Sequence, residues 1–190
     1  MVRSETSSEG LVTISLDRPD KANALTPGML EALIAAVEAA TTAGARALVL
    51  TGTGKVFSAG ADLDAARAGL AVSPLWEALS GAIAAAPALT IAALNGTAAG
   101  GALGMVLACD LRIAVPAAKI FYPVMQLGFL PQPSDPRRLA ALAGPSRAAM
   151  ILMAGQKITA DEALTWGLID RIVEPEALAE TAAALAADAL

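Results

Sequence analysis

The chain has 190 residues, 56% of them hydrophobic, 16% charged and 3% aromatic, and carries a formal net charge of −5. That length suits one domain with a sizeable core, and so apolar a composition excludes a disordered chain. The acidic balance argues against nucleic-acid binding, the lack of histidine argues against zinc sites and serine–histidine hydrolysis, and the single cysteine, Cys109, excludes an intrachain disulfide.

Met1 to Gly10 is polar and lacks an apolar signal core. With the lone cysteine, this sets the expectation of a reducing, cytoplasmic compartment and no metal. Leu11 to Leu16 alternates apolar and polar residues, which predicts a half-buried strand. Thr26-Pro27 then reads as N-cap and first helical position. The helix through Leu30, Leu33, Ile34 and Val37 should stop near Gly44. Ala47 to Leu50 is a continuous apolar strand, as in a sheet buried on both faces. Ser73-Pro74 should cap a helix that ends before Pro87. Leu89 to Leu94 is the next buried strand, and a helix should run from about Gly101 to Cys109.

Ala78 to Cys109 contains no charged residue, and that length invites a membrane span. Pro87, Asn95-Gly96 and Gly100-Gly101 interrupt it, so a buried strand, a turn and a buried helix are expected, with no membrane span. Leu111 to Val115 is a short strand. A helix runs from about Pro145 to Ala154. Another begins at Thr159, where Thr159-Ala160-Asp161-Glu162 fits a capping box. Gly167 ends it, Leu168 to Val173 is extended, and Pro175 opens an alanine-rich last helix. Short strands alternating with helices predict an α/β fold with repeated crossovers.

Two glycine-rich stretches are the candidates for chemistry: Val56 to Asp62, containing Ser58-Ala59-Gly60-Ala61-Asp62, and Asn95 to Ala102, containing Gly100-Gly101. Each reads as a strand end running into a helix start with exposed backbone N–H groups. Brought together, two such donors would make an oxyanion hole for a thioester carbonyl. Taken singly, each is equally a turn, with Asp62 capping a helix. A phosphate loop is excluded by the missing Gly-Lys-Ser/Thr signature, and the glycine spacing does not fit a dinucleotide fingerprint.

The order of motifs decides between these readings. Ile14-Ser15-Leu16-Asp17-Arg18-Pro19 with Asn23-Ala24-Leu25 is followed by Phe57 to Asp62. Asn95-Gly96, Gly100-Gly101 and Ala108-Cys109-Asp110-Leu111-Arg112 come next. Leu127-Gly128, Pro131, Arg138-Leu139 and Ala160 to Ala163 with Trp166-Gly167-Leu168 close the series. From Val12 to Val173 the sequence resembles the crotonase family, the enoyl-CoA hydratase/isomerase superfamily.

That resemblance implies a crotonase-like spiral of repeated ββα turns over residues 1–175. Residues 176–190 would begin a C-terminal helical region that is cut short. It implies an acyl-CoA ligand, with coenzyme A entering as part of the substrate. It also implies a homo-oligomer, trimer or hexamer. The carbonyl would accept from the N–H groups of Ala61 and Gly101. The adenine and pantetheine would lie along Lys21, Ala22 and Ala24 and along Ala59, Asp62 and Leu63. Arg18, Lys21 and Lys55 are candidates for the phosphates.

The sequence also departs from the family. Hydratases of the family use two glutamates, and the matching positions are Gly104 and Val124. Neither can activate water or deliver a proton, so hydratase chemistry is not expected. Asp135 and Tyr122 are the substitute candidates for acid–base work, Tyr122 by sharing a face with Val124 if that segment is extended. Glu77 is a third. The outcomes left open are an enzyme of unconventional acid–base chemistry, or of a reaction needing little proton transfer such as decarboxylation or thioester cleavage, and a catalytically silent acyl-CoA binder or partner subunit. The early end would mean that the site is more open, that another subunit covers it, or that the sequence is a shortened form.

Overall fold

A computed structural model describes residues 1–190 as two sheets, laid down in alternation and wrapped by helices. The polar N-terminus forms β1 (Val2–Thr6), antiparallel to β2 (Leu11–Leu16). In β2 the alternating sequence becomes alternating burial. Helix α1 (Pro27–Thr42) starts where Thr26 Oγ1 accepts from Met29 N at 3.3 Å, and it buries Leu30, Leu33, Val37 and Ala40 along one face.

Three strand–strand–helix turns follow. The first holds β3 (Ala47–Gly52), β4 (Val56–Ser58), α2 (Leu63–Arg67) and α3 (Leu75–Ala85). The second holds β5 (Leu89–Leu94), β6 (Thr97–Ala99) and α4 (Leu103–Ala108). The third holds β7 (Leu111–Ala114), β8 (Lys119–Phe121), α5 (Asp135–Ala143) and α6 (Pro145–Leu152). The chain ends with β9 (Ile158–Thr159), α7 (Ala160–Thr165), β10 (Arg171–Ile172) and α8 (Leu178–Ala186).

The first strand of each turn joins a six-stranded sheet ordered β1-β2-β3-β5-β7-β10, parallel from β2 onward. The second joins a four-stranded sheet ordered β4-β6-β8-β9. This is the expected spiral of ββα turns. Side chains tie successive turns at their corners. Asn95 Oδ1 accepts from Gly52 N at 3.1 Å, and its Nδ2 donates to Gly54 O at 3.0 Å. Such bonds satisfy corner backbone groups that no strand can pair.

The continuous apolar strands are buried as expected, with Ile91, Ala92, Ala93 and Leu94 at most 1% exposed. The capping box at Thr159 is present, with Glu162 N and Thr159 N each bonded to the other's side chain. Two extended predictions are corrected. Of Leu168 to Val173 only Arg171–Ile172 pairs as a strand. Tyr122 and Val124 do not share a strand face, because Pro123 opens a 3-10 turn over Pro123–Leu127. No helix is long and apolar enough to cross a membrane.

Candidate functional site

The two glycine-rich stretches meet where β4 and β6 end side by side. Gly60 has φ +90° and Gly100 has φ +57°, in the left-handed region that glycine enters without strain. A Cβ on Gly60 would stand 2.8 Å from Ala99 O, so the first loop rests directly on the backbone of the second. Ala61 is held by an isolated bridge to Leu25. Leu25 N donates to Gly60 O at 2.7 Å and Asp62 N donates to Leu25 O at 2.8 Å, while the Ala61 N–H between them has no acceptor. Gly101 lies in a 3-10 turn, Gly100–Ala102, that leads into α4. N–H groups in such a first turn have no intrahelical acceptor.

A second strip of backbone runs beside Ala59 to Leu63. Asn23, fully buried at φ +53°, accepts from Arg18 N at 2.8 Å and donates to Val56 O at 2.7 Å and Thr53 O at 3.0 Å. Its bonds fold Lys21 to Ala24 against the first loop, where Ala59 N donates to Ala22 O at 3.0 Å. Lys21, Ala22, Ala24, Ala59, Asp62 and Leu63 are therefore gathered on one edge, with Lys21 and Leu63 exposed.

The charges of Asp62 and Arg18 are already engaged. Asp62 caps α2 by accepting from Asp64 N and Ala65 N, and it takes the Arg18 guanidinium at 2.8 Å. That ion pair, with the capping bonds, holds the Asp62 carboxyl below the usual carboxylate range. Arg18 also donates to Ala24 O at 3.0 Å. It braces the two strips against each other.

Ala59, Ala61, Gly100 and Gly101 line one side of a cavity of about 140 Å³, and Trp76, Phe121, Val124 and Phe129 line much of the rest. Twelve of its sixteen lining residues are hydrophobic, which suits an apolar group beside the free N–H donors. Trp76 packs against Gly101, where an added Cβ would meet ring carbons at 3.1 Å. The ring is fixed by Nε1 donating to Leu70 O at 2.7 Å. Sequence reasoning did not single out Trp76; a large ring in a chain with so few aromatics was the available signal.

Val124 brings no acid to this cavity, and Gly104 brings none to α4. The space beside Gly104 is filled by Asp135. A Cβ on Gly104 would lie 3.1 Å from Asp135 Oδ1 and 3.4 Å from Oδ2. Asp135 opens α5 and is fully buried. Its Oδ2 accepts from the Tyr122 hydroxyl at 2.6 Å, while Oδ1 has no partner. Burial pushes the Asp135 carboxyl up to about 6, opposed by the Tyr122 bond and by Arg138. Burial and the neighbouring Asp135 push the Tyr122 phenol far above its ordinary value. Gln132 N donates to the Tyr122 oxygen at 3.4 Å, and both Tyr122 and Gln132 belong to the cavity wall.

The two substitute candidates are thus brought together, although 13 positions separate them in sequence. Glu77 is not part of the pair. It bonds the N–H and hydroxyl of Ser134 and fastens the start of α5 to α3. No cluster of histidine, cysteine, aspartate or glutamate side chains is arranged to hold a metal.

The sequence model for enoyl-CoA hydratase/isomerase matches residues 6–190. A protein of Mycobacterium tuberculosis named "Probable enoyl-CoA hydratase echA6" is 37% identical over 167 residues, covering 88% of this chain and 69% of its own. The 1,2-epoxyphenylacetyl-CoA isomerase of Escherichia coli is 33% identical over 190 residues, covering 94% and 72%. The crystal structure of an enoyl-CoA hydratase from Bacillus anthracis superposes with a TM-score of 0.91 at 33% identity, covering 99% of this chain and 75% of that one.

Proposed function

The chain belongs to the enoyl-CoA hydratase/isomerase family, and on that premise we propose that it binds an acyl-CoA with the thioester carbonyl between the N–H groups of Ala61 and Gly101. The observation that carries this reading is the meeting of the two loops. Gly60 abuts Ala99, and an N–H without an acceptor and the N–H of a first helical turn stand beside one apolar cavity. Such donors stabilise the charge that gathers on the carbonyl oxygen when an enolate forms, and losing one costs roughly 3–4 kcal/mol in the transition state. The acyl group would occupy the cavity. The pantetheine and adenine would follow the edge formed by Lys21 to Ala24 and Ala59 to Leu63.

Relatives named for hydration and for isomerisation act on CoA thioesters. The thioester is what those names share, and the side chains around it decide the reaction. With glycine at 104 and valine at 124, neither of those two positions supplies the carboxylate that hydration uses to hold and activate a water. A silent binder is the second reading, favoured by those same two positions.

The test is thermal unfolding with and without butyryl-CoA, followed by assay of crotonyl-CoA hydration. A ligand at 100 times its dissociation constant stabilises by about 2.7 kcal/mol, which raises the midpoint by several degrees. The expected result is stabilisation by butyryl-CoA with no hydration. No shift with any acyl-CoA would overturn the proposal, and rapid hydration would overturn the assignment of Gly104 and Val124.

A further inference from the structure

At the cavity wall lies a buried acid–phenol pair, Tyr122 in the wall and Asp135 behind it, that thioester binding does not use. Asp135 and Tyr122 are both 0% exposed. An aspartate in such a place costs several kcal/mol if ionised without partners, so a pair retained there calls for a reason. Asp135 has one oxygen bonded to the phenol and one with no partner at all. The pair is also well placed. Gly104, against which the Asp135 carboxylate packs, follows the proposed oxyanion donor Gly101 by three residues, about one helical turn. Tyr122 forms part of the cavity wall, next to Val124 and Gln132.

We propose that Tyr122 and Asp135 are the proton-transfer pair of this site, acting on the α-carbon of an acyl-CoA whose acyl group is apolar. The inference rests on the thioester reading above. The Cα–H bond breaks and its proton goes to the Tyr122 oxygen. The phenolic proton moves along the 2.6 Å bond to Asp135 Oδ2, which becomes neutral. The C–H electron pair forms the Cα=C1 bond, and the thioester π pair moves onto the oxygen held by Ala61 and Gly101. Returning a proton to Cα gives exchange; returning it to Cγ of a β,γ-unsaturated acyl group moves the double bond. Neither outcome needs water, an oxidant or a metal. Tyr122 is the catalytic residue in this scheme, and Asp135 acts through it.

An Asp135 carboxyl that titrates near 6 is ionised at neutral pH and still basic enough to take a proton. The groups bearing on it are Tyr122 from the segment after β8, Arg138 from α5 and Glu77 from α3.

The experiment follows replacement of the α-protons of butyryl-CoA by deuterium in D₂O, read by mass spectrometry, with thermal stabilisation by butyryl-CoA measured on the same samples. Wild type should catalyse exchange, at a rate that rises with pH through about 6 and is flat above it. Tyr122→Phe should lower exchange roughly 100-fold or more while keeping the stabilisation. Asp135→Asn should lower it and abolish the rise near pH 6, which a purely structural carboxylate would not do. Stabilisation without exchange in wild type overturns the proposal and leaves the binding reading standing. Exchange by a folded Tyr122→Phe at the wild-type rate overturns it too. If Tyr122→Phe does not fold, Asp135→Asn decides by its pH profile alone. No stabilisation in any sample removes both readings.

Discussion

Asp135 holds its proton to about pH 6 in the folded chain because burial disfavours its charged form, whereas in the unfolded chain the same group titrates near 3.8. Between those values the folded state binds more protons than the unfolded one. The stability contributed by Asp135 is therefore complete below about pH 4 and is lost as pH rises through about 6, amounting to at most roughly 3 kcal/mol. Urea unfolding from pH 4 to pH 7 should show that decline in wild type, and Asp135→Asn should flatten it. Gly104 supplies a second check at this scale. Gly104→Ala places a Cβ 3.1 Å from Asp135 Oδ1, so it should cost about 1–2 kcal/mol by crowding. The same change made in Asp135→Ala should cost less, a coupling that a double-mutant cycle in urea measures directly. The vacancy at Gly104 and the candidacy of Asp135 were legible in the sequence, but the packing of one against the other was not. Asp135 reaches Gly104 from α5, and nothing local to Ser134-Asp135-Pro136 reports that packing.

Among the elements, the corner between β4 and α2 and the corner between β6 and α4 have to be read together. Their glycines appeared in the sequence as two separate turn signals, each of which a plain loop would explain. Only the parallel pairing of β4 with β6 makes Gly60 and Gly100 face each other. Gly60→Ala would put a Cβ 2.8 Å from Ala99 O at a φ of +90°. We expect it to destabilise the chain by about 1–3 kcal/mol and to remove most of the thermal stabilisation by butyryl-CoA, because the two donors no longer converge. The long strands β2, β3 and β5 were legible because alternation and continuous apolar runs are local signals. The short β4, β6, β8 and β9 were not. At two or three residues they carry no period, and pairing in the second sheet is what makes them strands. The segment after Phe121 misled for a related reason, since the turn that Pro123 opens outweighs the extended propensity around it.

Across the whole molecule, the ββα spiral repeats one unit three times, and each repeat brings a strand end to the same end of the second sheet. That repetition lets residues 40 positions apart, such as Ala61 and Gly101, share one cavity. The order of motifs along the chain carried the fold into view before any contact was known, whereas the Trp76 cover on Gly101 and the Tyr122–Asp135 pair depend on how helices close over the sheet. Of the residues lining the cavity, Leu63 and Leu127 are each more than 60% exposed. An acyl chain too long for about 140 Å³ would meet these residues on its way out. Lengthening the acyl group from butyryl to octanoyl should therefore tighten binding, by about 0.8 kcal/mol for each methylene buried, as titration calorimetry would show. Polarisation of the bound thioester is the property on which the rest depends, and the carbonyl stretch of butyryl-CoA labelled with ¹³C at C1 reports it directly. Infrared difference spectra should show that band moved to lower frequency on the wild-type chain and returned towards its solution value on Gly60→Ala; a bound thioester whose carbonyl band stays where it is in water would contradict the assignment of Ala61 and Gly101.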